Sequence, residues 1–93
     1  MPISRAEIVT ESGEKLINRL CKHWAHKLEV KQEDGEGRIT FDNGSCLLQA
    51  EQGKLKVAVE SLDEEGLDHL EGVVARHLER MSGKESLDII WEN

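Results

Sequence analysis

Between Leu28 and Ser61 the apolar residues recur at every second position, and three turn dipeptides, Asp34-Gly35, Asn43-Gly44 and Gln52-Gly53, divide that stretch into four pieces. A period of two marks strands that bury one face, and a polar residue followed by Gly between such runs reads as a tight hairpin. The segment is therefore predicted to be a four-strand meander. Treating each dipeptide as a two-residue loop fixes the pairing, because a slip of one residue turns every side chain to the opposite face. Val30 then opposes Ile39 and Leu28 opposes Phe41. Phe41 in turn faces Cys46 and Ile39 faces Leu48, while the last hairpin sets Cys46 against Val59, Leu48 against Val57 and Ala50 against Leu55. All three turns yield one apolar face. The other carries Lys31, Arg38, Gln49, Lys56, Glu29, Thr40, Glu33, Glu36 and Glu51 and reads as solvated.

The flanking segments supply the second layer. Ala6 and Ile8 alternate with Arg5 and Glu7 in an opening strand from Ile3 to Val9, and Thr10 and Ser12 are candidate N-caps for a helix running to about Lys27. At about 100° per residue, Leu16, Ile17, Leu20, Trp24 and Leu28 share one stripe of that helix, which makes Trp24 a core residue. After the meander, Ser61-Leu-Asp-Glu64 reads as a capping box. It opens a second helix with Leu67, Leu70, Val74, His77, Leu78 and Met81 on one stripe and Gly83 as its stop. A last strand, Leu87 to Trp91, turns Leu87, Ile89 and Trp91 to one side. The order β-α-β-β-β-β-α-β, with one apolar sheet face and two amphipathic helices, packs most simply as an α+β two-layer sandwich: a mainly antiparallel sheet with both helices on one face.

Length and charge narrow the function classes. Ninety-three residues make a single domain, 1–93. Twelve Lys and Arg against 19 Asp and Glu leave a formal charge of −7, which repels phosphate backbones and anionic lipid, so nucleic acid and membrane are not expected partners. No run approaches the roughly 20 apolar residues of a membrane span, and no basic-then-apolar signal layout opens the chain. A cytoplasmic location follows, in which the two cysteines, Cys21 and Cys46, stay free thiols.

The reactive side chains concentrate in Leu20-Cys-Lys-His-Trp-Ala-His-Lys27. On a helix Cys21 and His23 diverge by about 200°, so one ion does not easily take both. His23 and His26, at i and i+3, diverge by only about 60° and form a secondary candidate pair toward the polar edge. Cys21 at the rim of the first buried stripe, Cys46 on the inner sheet face and His77 on the second stripe all project into the same interlayer space. Together they are the candidate ligands for a transition-metal ion. The competing reading is core packing, since a free Cys behaves as a small hydrophobe and an unliganded buried His donates its ring N–H to a nearby acceptor. Asp34-Gly-Glu-Gly37 lies between strands and lacks the helix N-terminus of a phosphate loop, and no Ser-His-Asp or paired-carboxylate constellation stands out.

Three separated motifs, Leu20-Cys-Lys-His-Trp-Ala-His-Lys27, Gly37-Arg-Ile-Thr-Phe41 with Gly44-Ser-Cys46, and Ala75-Arg-His-Leu-Glu-Arg80, together resemble the bacterial domain-of-unknown-function 2218 family over almost the whole chain. Cys21, His23, His26, Cys46 and His77 match its pattern, and Trp24 stands where Phe is common. The resemblance implies a small protein without an established activity, found beside or joined to siderophore-interacting ferric reductases, and hence a loose link to iron handling. Two functions remain open at this point. One is a non-catalytic accessory or interaction domain with a protein partner such as that reductase. The other is a small metal-binding or thiol protein using Cys21, Cys46 and His77.

Overall fold

The computed structural model describes residues 2–83 and 85–92. Its elements are β1 (Ile3–Val9), α1 (Gly13–Trp24), β2 (Glu29–Glu33), β3 (Glu36–Phe41), β4 (Gly44–Glu51), β5 (Lys54–Ser61) and α2 (Glu64–Met81). The strands form one sheet in the order β1-β5-β4-β3-β2, with every neighbouring pair antiparallel. The helices share one face: α1 packs on β2, β3 and β4, and α2 packs on β4, β5 and β1. This is the expected two-layer sandwich. Its core joins Ile8, Ile39, Cys46, Leu48, Leu55, Val57 and Val59 of the sheet to Leu16, Ile17, Leu20, Cys21 and Trp24 of α1 and Leu67, Leu70, Val74 and Leu78 of α2.

The first and third hairpins pair as their turns predict, with Val30 opposite Ile39, Cys46 opposite Val59 and Leu48 opposite Val57. Gly35 and Gly53 supply the positive φ those turns require, at 72° and 77°. The middle hairpin differs. Its loop is Asp42-Asn43, so Phe41 pairs with Gly44 and Ile39 with Cys46, a register two residues from the expected one. A shift of two preserves which face each side chain occupies. The inner apolar set therefore survives, while the outer rows rearrange: Arg38 now lies beside Leu47, and Glu36 beside Gln49.

Two helix boundaries also move. α1 ends at Trp24 instead of about Lys27, and a tight turn follows in which the amides of Lys27 and Leu28 both donate to Trp24 O, at 3.0 and 2.8 Å. At the start of α2 the cap is Asp63, whose carboxylate accepts from Gly66 N at 2.7 Å. The expected capping residue, Ser61, is the buried last residue of β5, and its hydroxyl donates to Asn43 O at 3.2 Å. Strand pairing claims Ser61 before the helix begins. Asp63→Ala is accordingly expected to cost about 1 kcal/mol in urea denaturation, the usual value of an N-cap. Gly83, with φ 68°, follows the helix as its stop.

The predicted last strand is the clearest correction. From Leu87 onward the chain alternates as expected, with Leu87, Ile89 and Trp91 packed against the core and Asp88 and Ile90 exposed. Among the described residues a single bridge joins it to β1, through Arg5 and Glu92, with bonds of 2.9 and 2.8 Å. Glu85 anchors the near end by accepting from Thr10 Oγ1 at 2.7 Å. Side-chain packing between two anchors holds the segment in place of a hydrogen-bonded ladder. Among the described residues no helix is long and apolar enough to cross a membrane.

Candidate functional site

The five candidate residues divide into two groups. Cys21 and Cys46 are both buried in the core, at 2% and 0% exposure. Cys21 lies on the inner side of α1 where the helix crosses β3, so closely that a Cβ at Gly37 would sit 2.9 Å from its sulfur. Cys46 lies in the middle of the sheet between Ile39 and Val59. Burial pushes the Cys21 thiol up, and burial together with the nearby Cys21 pushes Cys46 up to about 12. Both sulfurs are therefore protonated at neutral pH and poorly suited to nucleophilic attack.

His77 belongs elsewhere. It is half-buried, and its Nδ1–H donates to Val73 O one turn earlier at 2.7 Å, so that nitrogen is committed to the helix backbone. Its ring lies 4.7 Å from Trp24 and 5.1 Å from His23, centroid to centroid. Trp24 also meets Phe41 edge-on at 5.2 Å and His23 at 5.7 Å. Among the described residues no three His, Cys, Asp or Glu side chains group as ligands of one ion, so Cys21, Cys46 and His77 do not share a coordination sphere here.

The helices thus bring together a cluster that the linear sequence conceals. α1 contributes His23 and Trp24 from its last turn, the following turn contributes His26 and Lys27, and α2 contributes His77 and Arg80. Arg19 ties the two helices by donating to Met81 O at 2.5 Å. The His23 ring is exposed, yet its pKa is lowered, first by partial desolvation and then by the positive charges of His77, His26, Lys27 and Arg80. A histidine held more neutral in the folded state than in the unfolded chain contributes stability above its unfolded pKa, and that contribution is lost as pH falls. Thermal unfolding followed from about pH 7 to pH 5.5 should therefore show a falling midpoint, with a shallower fall in His23→Gln. His77 was visible in the sequence as a stripe residue, but its association with His23 was not. The available signal was that each of these histidines precedes a basic residue, Lys27 or Arg80, by about one helical turn near the end of its helix.

A small α+β sandwich, with one sheet face covered by two helices and a basic and aromatic cluster where those helices end, defines the class. The chain belongs to the domain-of-unknown-function 2218 family, described as an uncharacterized protein conserved in bacteria, whose family model matches residues 5–92. The fold is similar to that of PA4090 from Pseudomonas aeruginosa, solved by NMR, at 42% sequence identity and a TM-score of 0.84, covering 99% of this chain and 96% of that one. No curated protein matches the sequence.

Proposed function

We propose that the domain is a non-catalytic accessory module that recognises a ligand or partner through the cluster at its helix ends. The observation that carries this reading is the distribution of reactive groups. Both thiols are buried and protonated, whereas the His23 and His77 rings pack against the buried Trp24 ring and His26, Lys27 and Arg80 are exposed. Such an arrangement suits recognition better than bond-making. The partner class implied by the family resemblance is a siderophore-interacting ferric reductase, beside which the domain would work in the cytoplasm.

Calorimetric titration of such a reductase into the protein is expected to give a dissociation constant of about 1 to 10 μM, in the range of transient contacts, weakened by His23→Gln. No heat at about 100 μM would overturn the reductase assignment. The competing metal or thiol reading is tested separately with zinc. Buried, protonated thiols predict that Cys21→Ser and Cys46→Ser leave zinc affinity unchanged, and a loss of tight binding in either variant would restore that reading.

A further inference from the structure

We propose that His23, His26, Lys27, His77 and Arg80 form a binding site for a small oxyanion, a phosphate or carboxylate group carried by a small molecule. The inference rests on the reading of this cluster as a recognition site and names the chemistry it would recognise.

Charge is the first argument. The chain carries seven more acidic than basic residues, yet the four groups whose charge bears on His23 are all basic, drawn from the turn after α1 and from α2. A chance surface patch on so acidic a protein would include carboxylates. The ion pairs of the described residues lie instead on the open sheet face, where Lys54 meets Glu7 and Glu51 and Lys56 meets Glu51. None of them involves the five clustered residues.

Geometry is the second. Helix C-termini favour one compensating cation each, which accounts for the sign of these residues but not for their convergence from two helices. The convergence is fixed from below: His77 is pinned by Val73 O, its ring rests on buried Trp24, and His23 lies 5.1 Å from it. His23, His26, Lys27 and Arg80 are exposed and present their donors to solvent. The His23 imidazole, with a guanidinium and an ammonium beside it, offers several N–H donors to one anion, while His77, its Nδ1–H committed to Val73 O, holds the His23 ring in place; hydrogen bonds to a charged acceptor are stronger than neutral ones. A divalent cation at the same point would be opposed by Lys27 and Arg80 and would find no carboxylate ligand in the cluster.

The test is an NMR titration of the 93-residue protein with inorganic phosphate near pH 6.5, at ionic strength held constant with chloride, and a parallel titration with acetate. The expected result is saturable shifts confined to the five residues and the Trp24 indole. Arg80→Gln and Lys27→Gln should each weaken binding about tenfold while leaving the dispersed spectrum of the folded protein intact. Saturation by either anion supports the site and identifies the preferred oxyanion. Shifts that fail to saturate, that spread over the surface, or that equal those of chloride overturn it, as does tight zinc binding at His23 and His77 without any response to phosphate. Failure of the reductase titration alongside saturable phosphate binding would remove only the partner assignment.

Discussion

A single methyl group added at Gly44 is expected to destabilise the domain by about 3 kcal/mol, the upper end of the range for overpacking. A Cβ at this position would stand 2.1 Å from the carbonyl oxygen of Glu60 and 2.7 Å from Cδ1 of Leu70. Leu70 could change rotamer. Glu60 O belongs to the backbone of β5, directly beside the Gly44–Ser61 pair, and it moves only if β4 and β5 separate. Urea denaturation of Gly44→Ala measures the loss. The double variant Gly44→Ala, Leu70→Ala should not recover stability, because the backbone oxygen is the nearer obstacle. A cost under about 1 kcal/mol would mean that β4 and β5 adjust at this end far more easily than close packing normally permits.

Gly44 also shows why part of the fold was legible in the sequence and part was not. Asn43-Gly44 has the composition of a tight hairpin loop, and for Gln52-Gly53 and Asp34-Gly35 the same reasoning gives the observed pairing. At Gly44 the glycine is present for proximity instead of for a positive φ, and a sequence letter does not distinguish the two causes. The resulting register error is even, so the buried set of Ile39, Cys46, Leu48, Val57 and Val59 is still read correctly. Capping follows the same logic. Ser61 and Asp63 both qualify by type, and the strand's hold on Ser61 decides between them. The last strand was overread because alternation reports which side chains are buried, and Leu87, Ile89 and Trp91 are packed against the core without a ladder.

For the candidate site, the helical wheel for Cys21 and the strand alternation for Cys46 place both in the interlayer space, where they lie. The wheel of the second helix places His77 there too. A wheel gives the angle of a residue about its own helix but not the position along the neighbouring helix that it meets. His77 sits near the end of α2, opposite the end of α1, and therefore meets Trp24 and His23 instead of the thiols. Its ring N–H is satisfied by Val73 O, the arrangement expected of a histidine that binds no metal through that nitrogen. The cationic character of the cluster arises only when the two helix ends are brought together, since neither end alone departs from ordinary helix-terminal chemistry.

Trp24→Ala is expected to cost about 3 to 5 kcal/mol, the range for removing a large aromatic side chain from a core. The indole is 7% exposed and bridges three elements: it belongs to α1, meets Phe41 of β3 edge-on, and lies under His77 of α2. Truncation leaves a void that no single element can close by moving alone, which places the cost toward the upper end. A domain of this size has a total stability on the order of 5 to 14 kcal/mol, so the variant should lose much of its folded population on mild heating. Far-ultraviolet circular dichroism in urea measures this without relying on tryptophan fluorescence, which Trp91 would complicate. Trp24→Phe separates packing from the rest, because a smaller ring retains an aromatic contact with Phe41 and should recover more than half of the loss. A cost below about 1 kcal/mol for Trp24→Ala would mean that the indole does not fill the space between the helix ends. His77 and His23 would then lack the rigid wall that holds their rings together, and the anion site would lose its geometric foundation along with the stability argument.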